Sequence, residues 1–439
     1  MAPTEDKLGF MLPYTPLHYL LLQQLSNPLV MTSGNLSDQP QCVDNHEARQ
    51  KLGTIADYFL MHDRDIVNRL DDSVMRLLDN KMHVLRRARG FSPEVLQLPE
   101  GFNNKQQILA MGGELKNSFC LLKQGMAIVS QHIGDLENAA AQLDYRYQLK
   151  CYQQLFDFKA DLIAVDLHAD YLSTQYGQQL AEDQPFSLVS VQHHHAHIAA
   201  CMAEHGLALD TPSVLAAVFD GLGMGLSGEL WGSEFLFSDY STCQRLGHFQ
   251  EISMPGGVPA MREPWRNAYA QLTHYFNYAD IHKEFADLEI IRLLETKPLA
   301  TLTSMIDKKL NSPLSSSCGR WFDAFAALLG LCPEQISYEG QAAIMLENLA
   351  TTEFFKLEDN PYSYEIENKN EIFVINWQAL LLAVLQDLQQ QIDKAVIAAR
   401  IHHTLISATV KLLMKLSIQT ETNTIILSGG VFQNRLLLD

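Results

Sequence analysis

Four histidines, His193, His194, His195 and His197, crowd the start of the stretch VQHHHAHIAACMAEH (191–205). Imidazole is the side chain best suited to bind a transition metal or to move a proton near neutral pH. The residues after Val191 are alanine-rich and favour helix. A helix starting near Gln192 sets His193 and His197 one turn apart on a single face, with His194 and His195 pointing elsewhere. Two neutral imidazoles so placed can bind one ion at about 2.0–2.1 Å. A lone histidine is usually only a satisfied polar residue; the grouping is what carries the reading. A third donor is expected from SVLAAVFDG (213–221), an apolar run that reads as a buried strand with Asp220 at its C-terminal end. Open α/β sheets place ligand sites at such strand ends. The expected catalytic metal set is therefore His193, His197 and Asp220, and imidazole plus carboxylate suits iron or zinc.

A chain of 439 residues, 47% hydrophobic, has material for two or three domains and an ample core. Its net charge of −19 speaks against a broad nucleic-acid surface, since phosphate backbones are repelled at long range. The seven cysteines form no CxxC pair, and an odd number does not suggest a disulfide framework. That pattern fits the reducing cytoplasm. No apolar run reaches the roughly 18–20 residues of a membrane helix, and no signal-peptide pattern opens the chain, so no membrane is expected.

The first ninety residues read as a helix over Tyr14–Leu25 capped by Thr15 with Pro16 at its first position, a short strand at Leu29–Met31, a polar helix near 44–52, and two strand-like runs, SVMRLL and KMHVLRRARG. Between them lies TSGNLSDQP, where Thr32, Ser33 and Asn35 can donate to a phosphate or carbonyl oxygen; by composition alone such a segment is simply a turn. Arg86, Arg87 and Arg89 stand out in so acidic a chain, and a guanidinium fork suits a phosphate. Arg86 and Arg87 on one strand face opposite ways, so at most one of the two points inward. Phe91–Gln107, with two prolines and no period, reads as a linker.

A weak internal repeat follows. Ile108–Asp135 and Val214–Asp239 each read strand, glycine turn, strand, turn, strand, with helices and buried strands between them. Asn423–Leu437 adds a buried strand, a Gly429–Gly430 turn and a helix start. Glycine turns let backbone amides approach a phosphate closely, and a helix start adds a positive end. The expected nucleotide-binding residues are Gly112, Gly113, Lys116 and Asn117 in one half, and Gly221, Gly223, Gly225, Gly429, Gly430 and Asn434 in the other. For Lys116 the alternative is a surface lysine, and for Asn434 a helix cap. Two similar α/β halves facing a shared cleft would hold the nucleotide between them.

PLVMTSGNLS, DDSVMR and VLRRARG resemble the C-terminal part of a YrdC-like domain, a resemblance that puts Thr32, Ser33, Asn35, Ser73 and Arg87 at its site. GGELKN, SQHIGDLE, VQHHHAH, DGLGMG and SGGVFQN, in this order, resemble the duplicated actin/Hsp70-like (ribonuclease H-like) α/β fold in its metal-containing carbamoyl-transfer branch. PLSSSCGRWFDAFAALLG and ISYEGQAAIMLE narrow the resemblance to the HypF family of hydrogenase-maturation carbamoyltransferases, over essentially the whole chain. The family pattern departs at TSGN, where alanine is usual third, and at WGSE, where a second glycine is usual.

The resemblance implies a partial YrdC-like domain over 1–92, a linker over 93–107, and a two-lobed carbamoyltransferase domain over 108–439. It implies a fragment truncated at both ends, lacking an acylphosphatase-like domain, paired CxxC motifs and a second carboxylate ligand expected just beyond residue 439. It also implies carbamoyl phosphate, ATP with magnesium, a divalent iron or zinc ion, and the acceptor protein HypE, whose C-terminal cysteine receives the carbamoyl group from a carbamoyl-adenylate. The competing readings are tRNA threonylcarbamoyl transfer, a small-molecule O-carbamoyltransferase, and a non-catalytic ATP-binding module that docks a partner. The acidity, the YrdC-like piece and SSSCGRWFDAF count against the first.

Overall fold

A computed structural model describes residues 7–36, 39–78, 80–183, 186–357 and 360–438. The chain forms two compact units, one of residues 1–96, 106–163 and 170–188, the other of 97–105, 164–169 and 189–439. Compactness thus groups 106–163 and 170–188 with the first ninety-six residues, a grouping distinct from the motif-based division at 92 and 107.

In the first unit the expected helices form at Pro16–Leu22, capped by the Thr15 side chain, and at Asn45–Leu52, capped by Asp44. Val74–Leu78 and Lys81–Arg86 pair antiparallel. The strand expected at Leu29–Met31 is instead irregular. Its side chains are 47–74% exposed, so no burial rewards an extended pairing there. Among the described residues none before Ala88 is buried. The buried side chains of this unit come later, from Leu109, Met111, Phe119, Leu121, Ile128, Tyr145, Leu149 and Tyr152. Phe119 meets Tyr145 and Tyr152 edge to face at 5.8 and 5.1 Å, a favoured aromatic geometry.

The repeat seen in the sequence is a repeat of topology. Ile108–Ala110, Cys120–Lys123 and Met126–Val129 pair antiparallel in succession, and Leu162–Asp166 and Ser187–Val191 extend the sheet beyond Ile108–Ala110. In the second unit Val214–Met224, Leu230–Ser238 and Cys243–Phe249 do the same, with Ile425–Ser428 parallel to Val214–Met224 on its other side. In both, the three strands stand in the order third, second, first, and a later strand lies on the free side of the first: Leu162–Asp166 in one, Ile425–Ser428 in the other.

Val214–Met224 is the spine of the second unit. Its side chains alternate between two faces, as the period of a strand requires. Leu215, Ala217 and Phe219 enter a large core with Trp265, Trp321, Trp377 and the helix Lys394–Thr420. Val214, Ala216 and Val218 meet Ile198 and Met202 of the helix His193–Glu204. Helix Lys394–Thr420, capped by Asp393, corrects one expectation: it is long and apolar enough by composition to cross a membrane. Its most apolar window is 61% buried inside this unit, as befits a core helix.

Phe219 is 1% exposed and stacks on Phe432 at 5.1 Å with 13° between the rings. Phe219→Ala is expected to cost about 3–5 kcal/mol in urea unfolding, because the rigid surroundings cannot collapse into the cavity.

Candidate functional site

Helix His193–Glu204 starts where expected. The Gln192 side chain caps it, accepting from His195 N at 2.8 Å, and Gln192 Nε2 donates to Met224 O at 2.9 Å, which pins the helix start to the spine strand. His193 and His197 share a face, their rings 5.0 Å apart. His194 turns into the protein, fully buried against Gly223, and burial lowers its pKa to about 4, so it is neutral. His195 Nε2 lies 2.8 Å from Asp239 O.

Asp220 follows Val218 in the row that faces this helix. Its Oδ2 lies 3.1 Å from His193 Nε2 and 3.3 Å from His197 Nε2. Its Oδ1 accepts from Gly221 N at 2.8 Å and from Gly430 N at 3.4 Å. The three side chains bring one donor atom each to within 4.8 Å of one another. Donors bound to a tetrahedral zinc at roughly 2.0–2.2 Å stand roughly 3.3–3.5 Å apart, so the donor set and its spacing fit a divalent ion of the iron or zinc kind.

The surrounding segments differ from expectation in two respects. Asp220 does not end its strand, which runs on to Met224 because Leu230–Ser238 pairs along it. The glycine turn expected at 221–225 is therefore strand through Gly223, with the chain reversing after Gly225, whose N–H donates to Glu229 O at 2.7 Å. A Cβ at Gly223 would lie 2.6 Å from His194 Cε1 and 3.0 Å from His193 Cβ, so this glycine lets the histidine helix sit on the strand.

The Gly429–Gly430 turn is present. Gly429 takes φ +97°, where a Cβ would also run into the Phe219 backbone, and a short 3₁₀ turn, Gly430–Gln433, replaces the expected helix start. Asn434 is 8% exposed, and both ends of its amide are engaged. Nδ2 pairs with His402 Nε2 at 3.0 Å, and Oδ1 accepts from Leu436 N at 3.0 Å. His402 donates from Nδ1 to Ala398 O at 2.8 Å, and burial lowers its pKa to about 4, so its Nε2 accepts.

In the first unit the GGELKN turn is internally braced. Ser173 Oγ donates to Gly112 O at 3.0 Å, and Asn117 Nδ2 donates to Gly113 O at 2.6 Å and to Met111 O at 3.1 Å. Lys116 is exposed, its N–H donating to Asp135 Oδ1 at 2.8 Å. Among the five residues of the YrdC-like motif, Ser73 Oγ donates to Arg89 O and accepts from Ala88 N, both at 2.9 Å. Arg87 donates to Phe91 O at 2.7 Å and Glu94 O at 3.1 Å. Asn35 donates to Leu36 O at 2.9 Å, and Thr32 and Ser33 lie exposed.

One carboxylate escaped the sequence reading. Asp166 Oδ2 lies 2.8 Å from His193 Nδ1, so His193 spans two carboxylates. Its position at the end of the apolar strand ADLIAVD was the available signal. Burial pulls the His193 pKa down, but the hydrogen bonds its ring donates to Asp166 and Asp220, with the charges of both carboxylates, outweigh it and raise the pKa to about 10. Burial opposes ionisation of Asp220 too, yet hydrogen bonds from His193 and His197 hold its pKa well below the usual carboxylate range.

The His193 contribution to metal-free stability is therefore complete below about pH 6.5 and withdrawn as pH rises through about 10. Thermal unfolding from pH 7 to 10.5 is expected to lose stability that His193→Ala never had, flattening that limb in the variant. A metal must displace the same proton, so zinc uptake at pH 7.5 is expected to release at least one proton, measured calorimetrically in buffers of different ionisation enthalpy.

Family models match nearly the whole chain. Residues 216–439 match the second subdomain of the carbamoyltransferase Kae1-like domain, 103–204 the HypF Kae1-like domain, and 1–88 the Sua5/YciO/YrdC model described as telomere recombination. The carbamoyltransferase HypF of Rhodobacter capsulatus is 46% identical over 350 residues, covering 80% of this chain and 46% of its own. That of Synechocystis sp. is 38% identical over 100% of this chain and 56% of its own. A HypF homolog of Cupriavidus necator is 36% identical over 77% of this chain and 84% of its own. The crystal structure of full-length HypF in its phosphate- and nucleotide-bound form superposes with a TM-score of 0.89 at 40% identity, covering 100% of this chain and 66% of that one. T. kodakarensis HypF gives 0.88 at 33%, covering 100% and 56%. The chain spans about half the length of the first two of these curated relatives. With a YrdC-like segment ahead of a Kae1-like α/β domain, the chain belongs to the HypF carbamoyltransferase family.

Proposed function

We propose that the protein carries out ATP-dependent carbamoyl transfer in hydrogenase maturation, with carbamoyl phosphate and magnesium-bound ATP as substrates and the C-terminal cysteine of HypE as acceptor. The observation that carries this reading is the convergence of His193, His197 and Asp220 on one point, with the Gly430 amide reaching the same carboxylate. These three residues would hold an iron or zinc ion, which supplies a Lewis acid able to orient an adenylate and stabilise negative charge on its carbonyl oxygen.

The remaining steps belong to the chain and its substrates. Water cleaves carbamoyl phosphate to carbamate and inorganic phosphate, and the carbamate oxygen then attacks the ATP α-phosphate, forming carbamoyl-adenylate with loss of pyrophosphate. The HypE thiolate then attacks the carbamoyl carbon; a C–S bond forms, the C–O bond to the adenylate phosphate breaks, and AMP leaves. Asp220 has its Oδ1 engaged by two backbone amides, so its orientation is fixed before substrate arrives, the preorganisation such chemistry needs. Gly429, tight against the Phe219 backbone, and Gly430 beside Asp220 bring bare main chain to the edge of the site, where a nucleotide phosphate or ribose can approach without meeting a side chain. The cytoplasm, where thiols stay reduced, is the compartment this transfer requires.

With carbamoyl phosphate, ATP and HypE present, a carbamoyl thioester on the HypE C-terminal cysteine is expected by mass spectrometry, together with AMP. The doubly substituted His193→Ala, His197→Ala chain is expected to bind no stoichiometric metal and to form no thioester. Full metal content in that variant overturns the site, and wild-type chain that forms AMP without thioester overturns the acceptor.

A further inference from the structure

We propose that Asp166 is a positioning residue for the metal set: it fixes the His193 ring so that Nε2 is presented to the point shared with His197 and Asp220. This role rests on the metal reading given above. His193 and His197 differ in how they are supported. The Nδ1 of His193 lies 2.8 Å from Asp166 Oδ2, and the Asp166 side chain is only 7% exposed. Asp166 Oδ1 accepts from His168 N at 2.8 Å, so both carboxylate oxygens are engaged and the group has little freedom to swing away. One residue further on, Leu167 N donates to Val191 O at 2.9 Å, which ties the end of the Asp166 strand to the residue just before the helix cap. Donor and acceptor are thus anchored by adjoining backbone.

The chemical consequence concerns the ring nitrogens. A neutral imidazole carries one proton, and an acceptor at Nδ1 keeps it there, leaving the lone pair on Nε2. A half-turn of the ring about Cβ–Cγ would put Cδ2 against Asp166 and Cε1 near the place of Nε2, so a carbon rather than a nitrogen would face Asp220. Gly223 packs under the Cβ and ring edge of His193 and closes its other side. Asp166 and Asp220 both favour the orientation seen, and Asp166 adds what Asp220 cannot: an acceptor at Nδ1 that keeps the proton there and leaves the Nε2 lone pair free.

The test is zinc binding by the metal-free full chain, followed by titration calorimetry against a competing chelator. Asp166→Asn is expected to bind zinc 10–100-fold more weakly than wild type, the range usual for loss of an outer carboxylate partner. Asp166→Glu, which restores the carboxylate on a longer arm, is expected to bind more tightly than Asp166→Asn. In the zinc-bound wild-type chain the His193 Nδ1 proton is expected as a downfield, slowly exchanging resonance, absent or shifted upfield in Asp166→Asn; a purely structural role would leave it in place. Equal zinc affinity in wild type and a folded Asp166→Asn chain overturns the proposal, as does an unchanged Nδ1 resonance. If Asp166→Asn does not fold, Asp166→Ser decides: wild-type zinc affinity or an unmoved resonance overturns the proposal, and weaker binding with a moved resonance supports it. Wild-type chain that takes up no zinc overturns the metal reading and this role together.

Discussion

The candidate site depends on how helix His193–Glu204 lies along Val214–Met224. Ile198 and Met202 are fully buried against Val214, Ala216 and Val218, and Ile426 of the neighbouring parallel strand completes the patch. Each large apolar side chain so buried is worth about 1.5–3 kcal/mol. That contact sets the register of a three-to-four-residue helical period against a two-residue strand period. Beside that buried face the helix offers His193 and His197, which precede Ile198 by five residues and by one; one step beyond Val218 the strand row offers Asp220. Slipping the strand by one residue would put Phe219 under the imidazoles and Asp220 in the aromatic core. His194, turned inward over Gly223, and Gln192, bonded to Met224, lock that register at the helix start.

What could be read in advance follows the same division. The helix, its start at Gln192 and the pairing of His193 with His197 were legible because spacing within one element maps directly onto geometry. Asp220 was legible because its strand is a continuous apolar run. The course of that strand beyond Asp220 was hidden by three glycines that suggest a turn, whereas pairing with Leu230–Ser238 keeps the backbone extended through Gly221 and Gly223. Asp166 went unread because its partner lies 27 residues on, and no local pattern couples the two. Asn434 reads either as a ligand contact or as a cap, and its Oδ1 caps the short turn Arg435–Leu437 while Nδ2 pairs with His402. The short segment Leu29–Met31 has strand-forming residues with nothing to bury them, and propensity alone does not hold a strand.

The repeated strand order explains why glycine-rich segments recur without serving one purpose. In the first half the carbonyls of Gly112 and Gly113 are bonded by Ser173 and Asn117, so the turn is stiffened from within. In the second half Gly223 makes room for a helix, and Gly429 makes room for the Phe219 backbone. Three segments of similar composition thus solve three packing problems. Among the glycine amides of the second unit, those of Gly221 and Gly430 meet the Asp220 carboxylate, so the turn after Ile425–Ser428 is mechanically part of the candidate site.

Charge gives the reason for that coupling. Asp166 and Asp220 place two negative charges around His193, and with both imidazoles neutral the cluster would hold them largely out of water at considerable cost. The raised pKa of His193 shows the cluster drawing in a cation, in the metal-free chain a proton. A divalent ion answers the same deficit more fully, and the 3.1 and 3.3 Å separations already suit it. Exchange of proton for metal then needs little rearrangement, provided Asp220 keeps Oδ2 turned toward the imidazoles. Its other oxygen is what holds that orientation, through Gly221 and Gly430. A displacement of the Gly429–Gly430 turn, by substitution for instance, is therefore transmitted to the Asp220 carboxylate itself.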